Sequence, residues 1–264
     1  KKNGEEIQLT RFPFMEEVFT LWVGDDLPYL QCLSILSWIR QGYRVRLYTN
    51  LSKKYIENTI LKPYLYYLYL YDPKDILVKD PNWAMLPYSD LFRYKVIYET
   101  GLTWLDTDLI LLKPLPNKKT IISSEYTMKS GAFKSKSDKT ATIQCLRFVK
   151  GNSLIKKIID TIHAKIINPA WRENMKVFRT LIEKDPNYEL QEPNVFNPLP
   201  WWNIDYIYKK VEDYPIKYAV TNNNDEQILS TSVGVHLFNS ILMKKYKKEN
   251  IENDSLLSKI IKLL

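Results

Sequence analysis

Residues 18–48 read VFTLWVGDDLPYLQCLSILSWIRQGYRVRLY. Three segments of different period follow one another there. Val18 to Gly24 is an apolar run closed by a glycine, as expected of a buried strand ending in a turn. From Leu30 to Arg40 the period changes: Leu30, Leu33, Leu36 and Ile39 recur at every third position, and Ile35 and Trp38 widen the stripe into a helix face. Gly42 stands just past that segment, where a helix stop belongs. Tyr43 to Tyr48 then alternates Tyr-Arg-Val-Arg-Leu-Tyr, the pattern of a strand. Strand, helix and strand in this order open a parallel sheet, so the chain is predicted to be α/β.

Working outward, Lys53 to Lys62 is expected to be helical, with Pro63 ending or kinking the helix. Tyr64, Tyr66, Tyr67, Tyr69 and Tyr71 follow without a clear period; such rings can stack on sugars but mostly serve as core. Ser89 is placed to cap a helix from Asp90 to Thr100, stopped by Gly101. Leu102 to Leu105 reads as a strand delivering Asp106, Leu109 to Leu112 as another apolar run, and Pro114 and Pro116 close the unit. Strands are expected near Thr120 to Ser124 and Ile143 to Val149, and helices over Leu154 to Ile167 and Trp171 to Lys184. A connector, Pro186 to Pro200, leads to a last strand, Ser232 to Phe238. No repeat or linker interrupts residues 1–264, so one domain is expected, with 239–264 as a basic helical tail.

The composition excludes several classes. With 264 residues, 45% hydrophobic and 13% aromatic, the chain can fill one large α/β core and is not of disordered type. It holds seven glycines and neither a G-x-G-x-x-G nor a P-loop motif, which removes the commonest nucleotide folds. Two cysteines, Cys32 and Cys145, exclude a disulfide framework but leave a single bridge open, and two histidines are too few for a typical His/Cys zinc site. No apolar run reaches the roughly 20 residues that span a bilayer. A formal charge of +8 suits an anionic partner, unless it reflects only a lysine-rich composition. That charge is dispersed and no recognition motif accompanies it, so nucleic acid is not expected as a partner. The tail's stripe of Ile241, Leu242, Tyr246, Leu256, Leu257, Ile260, Ile261 and Leu264 is expected to pack on its own domain; peripheral contact with an anionic membrane is the other use of such a stripe. A cytoplasmic or membrane-peripheral site is expected, or a secretory lumen if an anchor precedes the sequence.

Asp106 and Asp108 stand between Leu102-Thr103-Trp104-Leu105 and Leu109-Ile110-Leu111-Leu112. Carboxylates between apolar runs are costly to bury without a compensating cation, supplied either by a basic side chain such as Arg93 or by a bound metal. Strand alternation would place both on one face. Such a pair suits Mg²⁺ or Mn²⁺ holding substrate phosphates.

The series Ser89-Asp90-Leu91-Phe92-Arg93-Tyr94, Tyr98-Glu99-Thr100-Gly101, Trp104-Leu105-Asp106-Thr107-Asp108 and Leu112-Lys113-Pro114-Leu115 resembles glycosyltransferase family 32, the group with a sugar-binding region containing a DXD motif. It is also similar to the glucosylating domain of large clostridial toxins. Leu21-Trp22-Val23-Gly24 and Val235-His236-Leu237-Phe238-Asn239 resemble an early and a late segment of the same group. Two positions depart from the family: Leu102 stands for a second glycine, and Phe238 for a tryptophan.

The resemblance implies a GT-A fold, a Rossmann-like mixed sheet flanked by helices. It implies that Asp106 and Asp108 bind Mn²⁺ or Mg²⁺, and that Asp90 and Arg93 contact the donor sugar and its phosphate. Trp22 and Val23 would lie beside the nucleotide base, Thr107 within the donor loop, and His236 and Asn239 would close on the metal or diphosphate. It implies sugar transfer with retention from a nucleotide-diphosphate donor, a UDP-sugar first and a GDP-sugar next, to a glycan, lipid or protein acceptor. An inverting reaction would need a carboxylate base, for which Asp205, Asp225 and Glu226 are candidates. Two other readings use the same residues: a non-catalytic nucleotide-sugar or glycan binding module, and a metal-dependent phosphohydrolase.

Overall fold

The computed structural model describes residues 16–127, 139–165, 171–210, 224–242 and 251–264. The opening unit stands where its periodicities put it: β1 (Glu17–Trp22), α1 (Tyr29–Arg40) and β2 (Arg44–Thr49), with β1 and β2 parallel and Val18 opposite Val45. Gly42 follows α1 with φ 91°, a left-handed conformation that suits glycine.

Three boundaries differ from expectation. The helix expected over Lys53 to Lys62 is only α2 (Lys53–Ile56); Thr59 Oγ1 donates to the Ile56 carbonyl at 2.7 Å and closes the turn. Pro63 stands in the first turn of a 3-10 helix (Lys62–Tyr67) rather than ending a helix, because a first-turn N–H has no helical partner to lose. The tyrosine-rich stretch continues from it into β3 (Leu68–Tyr71). Likewise α3 (Met85–Thr100) starts before Ser89, with Pro87 tolerated in its first turn, and ends as predicted at Gly101, φ 74°.

The main sheet has the order β3-β2-β1-β4-β7-β6, where β4 is Thr103–Leu105, β6 Ile121–Tyr126 and β7 Lys139–Arg147. The first four strands are parallel, with Phe19 of β1 opposite Trp104 of β4; β7 runs antiparallel to both its neighbours, β4 and β6. The sheet is therefore the predicted Rossmann-like mixed one. From β1 the chain builds outward through β2 and β3, then returns to the other side of β1 at β4. Such a reversal leaves a crevice at the carboxyl ends of the two central strands, where open α/β sheets bind ligands. Trp22, Val23 and the Asp106–Asp108 segment all leave the sheet at that edge.

Neighbouring residues on the strands serve opposite faces. Phe19, Tyr48 and Trp104 join the core under α3, α4 (Ser153–Lys165) and α5 (Trp171–Glu183); Val18, Leu47 and Leu105 join the core under α1. A small second sheet pairs β5 (Leu109–Leu111) with β8 (Gly234–His236), antiparallel, Leu109 opposite His236. Helix α1 fastens it: Trp38 Nε1 donates to the Leu109 carbonyl at 2.7 Å, and the Leu111 amide donates to Ser37 Oγ at 2.9 Å.

The connector before the last strand contains α6 (Pro193–Phe196). Beyond it, besides β8 and a 3-10 helix (Trp201–Ile207), the described helices are α7 (Asp225–Thr231), α8 (Asn239–Leu242) and α9 (Leu256–Leu263), the last capped by Ser255. The expected tail is thus not one helix, and residues 243–250, with Tyr246 of the predicted stripe, lie outside the described residues. Leu256, Leu257 and Ile260 are buried against Leu33, Ile110, Tyr208 and Val235, so this part of the stripe is core. No described helix is long and apolar enough to cross a membrane. Both cysteines are buried and free.

Candidate active site

The two aspartates do not lie within one strand. Asp106 follows β4 and Asp108 precedes β5, and β4 and β5 belong to different sheets. What brings the carboxylates together is a turn, closed by the Leu109 amide on the Asp106 carbonyl at 2.9 Å, with Thr107 half-buried at its apex. Strand alternation was therefore the wrong reason for the right proximity. The chain turns because the main-sheet ladder ends: the Asp106 amide still donates to the Gln144 carbonyl at 2.8 Å, while Leu109 already pairs with His236.

That second pairing delivers the third group. His236 Nε2 lies 3.2 Å from Asp108 Oδ1, and one ligand atom from each of Asp106, Asp108 and His236 fits within 4.8 Å of the others. The side chains are 24%, 19% and 13% exposed, so the cluster opens to solvent on one side. The backbone then bends sharply at Phe238, φ 49°, a conformation uncommon for a bulky residue. The bend lets the Leu237 amide donate to the Asp108 carbonyl at 2.8 Å and the Asn239 amide to Asp108 Oδ2 at 3.0 Å. The side chain of Asn239 is buried, 4% exposed, and neither its Oδ1 nor its Nδ2 has a partner. Buried amides are rarely left so.

Arg93, from the next turn of α3 after Asp90, holds the other side. Its Nη1 donates to Asp106 Oδ1 at 3.0 Å and to the Ile143 carbonyl at 2.8 Å, and its Nη2 lies 3.5 Å from Asp90 Oδ1. Its plane stacks over Trp104 at 4.3 Å, and Trp104 Nε1 donates to the same Asp106 Oδ1 at 2.6 Å. The salt bridge weighed against a metal from the sequence thus exists, but both donors converge on one oxygen of Asp106. Asp90 is 1% exposed, and its Oδ2 has no partner. Burial pushes its carboxyl up to about 7, against the pull of Arg93 and with a further push from Asp106.

Burial likewise raises Asp106, opposed by Arg93 and reinforced by Asp108. On Asp108 burial acts upward too, but the charge and hydrogen bond of His236 and the Asn239 amide outweigh it and hold the carboxyl below its usual range. Burial would lower His236; the charge and hydrogen bond of Asp108 win and raise it. Asp106 and Asp108, when ionised, meet one imidazole and one guanidinium that is shared with Asp90. With His236 neutral, these two carboxylates have only that guanidinium between them. A divalent cation would supply what is missing, and two carboxylates with one imidazole form a donor set that a metal such as Mn²⁺ accepts.

At the end of β1, Trp22 Nε1 donates to the Asp26 carbonyl at 2.5 Å, which pins the indole edge across the loop. Asn50, at the end of β2, clasps Gly24 with both amide ends at 3.0 Å. Val23 is 38% exposed beside this loop. Of the carboxylates considered as an inverting base, Asp225 is 4% exposed and neutralised by Lys259 at 2.8 Å. Two features were not foreseen from sequence. Glu125 is ion-paired with Arg179 at 3.2 Å, and Asn197 Oδ1 lies 3.2 Å from His236 Nδ1. Only the Asn-Pro step at 197–198, a turn signal, marked the second.

Residues 35–128 match the family model "Glycosyltransferase sugar-binding region containing DXD motif", a span with Asp90, Arg93, Asp106 and Asp108 inside it and His236 and Asn239 beyond it. No curated protein sequence matches the chain. Among solved structures, it is similar to the PaToxG glycosyltransferase at 16% identity and TM-score 0.45, covering 66% of this chain and 71% of that one. It is also similar to the apo-form glycosyltransferase GlyE of Streptococcus pneumoniae TIGR4, at 15% identity and TM-score 0.43, covering 69% of this chain and 46% of that one. The likeness to a glycosyltransferase sugar-binding region containing a DXD motif is thus carried by residues 35–128 of the 264.

Proposed function

We propose that the chain transfers a sugar from a nucleotide-diphosphate donor, a UDP-sugar first and a GDP-sugar next, with the help of one divalent cation. The observation that carries this reading is the convergence of Asp106, Asp108 and His236 in a cluster short of positive charge. The imidazole favours Mn²⁺ over Mg²⁺, which prefers an all-oxygen shell. When bound, the cation would neutralise charge on the departing diphosphate.

The protein's own groups then have distinct tasks. Arg93 pulls Asp106 toward its ionised form against the effect of burial and fixes it, because its contacts are directed at Asp106, Asp90 and backbone. Asp90 Oδ2, which the Asn174 amide approaches without a hydrogen bond of normal geometry, would accept from a sugar hydroxyl. The unpartnered Asn239 amide can both donate to a diphosphate oxygen and accept from a hydroxyl. Trp22 and Val23 flank the base at the end of β1. In a retaining, front-face path the C1–O bond to diphosphate breaks as the acceptor oxygen bonds C1 on the same face, and the acceptor proton passes to the diphosphate. No protein base is required, and positioning supplies much of the rate. The acceptor would be a hydroxyl of a glycan, lipid or protein.

A thermal-shift screen of UDP- and GDP-sugars, each with and without Mn²⁺, tests the proposal. Stabilisation that needs both sugar nucleotide and cation is expected. The same mixtures incubated with acceptor separate transfer from mere binding. A stabilising donor that is never consumed would favour a binding module, and phosphate release without acceptor a hydrolase.

A further inference from the structure

Asn197 lies in a turn just after α6, 2% exposed, and joins three elements. Its backbone amide donates to the Pro193 carbonyl at 2.7 Å, closing α6. Its side-chain Nδ2 donates to the Ser124 carbonyl of β6 at 2.6 Å, and its Oδ1 faces His236 Nδ1 of β8 at 3.2 Å. The bond to Ser124 decides which end of the amide is which: a carbonyl accepts only from N–H, so the end turned to His236 is oxygen. An oxygen there accepts only from a protonated Nδ1. The lone pair of the neutral imidazole must then sit on Nε2, the nitrogen directed at Asp108.

We propose that Asn197 is a positioning residue that fixes the His236 tautomer and ring plane so that Nε2 is the metal ligand, an inference that rests on the cation site proposed above. The bond to Ser124 holds the amide, which cannot rotate without losing both contacts. The Val233 amide on the Val195 carbonyl at 2.9 Å fixes α6 against the approach to β8, so acceptor and ring are held by the same scaffold. Partners of the second ring nitrogen typically change metal affinity by about 10–100-fold when removed.

The test is Mn²⁺ binding in the presence of UDP, followed by electron paramagnetic resonance of the free ion. It compares the unaltered protein with Asn197→Ala, Asn197→Asp, His236→Ala and the double variant Asn197→Ala/His236→Ala, with melting of each protein as a control on folding. Asn197→Ala is expected to weaken Mn²⁺ about 10–100-fold and to have no further effect once His236 is gone. Asn197→Asp loses the donation to Ser124 but keeps an acceptor for Nδ1–H. It is therefore expected to melt lower, yet to bind Mn²⁺ within about threefold of the unaltered protein. Equal losses of Mn²⁺ affinity in the Asp and Ala variants, or an Ala effect that persists without His236, would overturn the positioning role while leaving the cation site intact. If His236→Ala itself leaves Mn²⁺ affinity unchanged, the imidazole is not a ligand and both readings fall.

Discussion

At the residue scale, Asp106 and Asp108 are neighbours with opposite environments. Asp106 is tied to cationic and indole donors through one oxygen, while Asp108 is tied to the imidazole and to the backbone bend at Phe238. Asp108→Asn removes the charge and keeps the shape. It is expected to lower transfer by several kcal/mol of barrier, on the order of 10³-fold, while the melting temperature stays within a few degrees; activity and a melting curve on one preparation check both. Arg93 has the other kind of importance. Arg93→Ala would strand two largely buried carboxylates and is expected to cost about 3–5 kcal/mol of folding stability, read by urea unfolding. Arg93→Lys should rescue little, because a point charge cannot reach Asp106, Ile143 and Asp90 at once.

At the scale of elements, the site depends on where two sheets meet. Gly234 lies in β8, and a Cβ there would stand 2.9 Å from the Ile110 carbonyl of β5. Gly234→Ala is therefore expected to push β8 off β5, destabilise the fold by about 1–3 kcal/mol and weaken Mn²⁺ binding by displacing His236; unfolding and metal titration would show the two effects together. In α9, Leu257→Ala should cost about 2–5 kcal/mol, since that stripe is core. Much of this scale was legible in the sequence. The periods of residues 18–48 gave β1, α1 and β2, and Gly101 marked the end of α3. What escaped had physical reasons. Pro63 and Pro87 are tolerated where helices begin: proline misled as a stop signal at Pro63, and α3 starts before the capping signal read at Ser89. The split of the Asp106–Asp108 segment between two sheets cannot be read from alternation, because it is decided by pairing with β7 and β8, far along the chain. Asn197 could not be foreseen for the same reason: its importance comes from the distant Ser124 and His236.

At the scale of the whole molecule, the site buries ionisable groups at a cost in stability that depends on pH. Asp90 is raised from 3.8 to about 7, and Asp106 is raised as well, so each contributes stability in its protonated form that is lost as pH rises through the folded value. His236 is raised above 6.5, so the stability from its proton is complete below 6.5 and lost above its folded value. Asp108, held low, matters only at more acid pH. The metal-free protein is therefore expected to lose stability, on the order of a few kcal/mol, between pH 5 and 8, as melting curves across that range would show. Mn²⁺ should reverse the trend, because the ligands it needs are the deprotonated ones. Its stabilisation at 100 times Kd, about 2.7 kcal/mol when binding is confined to the native state, should be larger at pH 8 than at pH 6. The most direct measurement is anomalous scattering at the manganese edge from a crystal soaked in Mn²⁺ and UDP. A single peak within coordination distance of Asp106, Asp108 and His236, touching diphosphate oxygens, is the expected result. A crystal that binds UDP while Arg93 and His236 alone neutralise the aspartates, with no manganese between them, would contradict it.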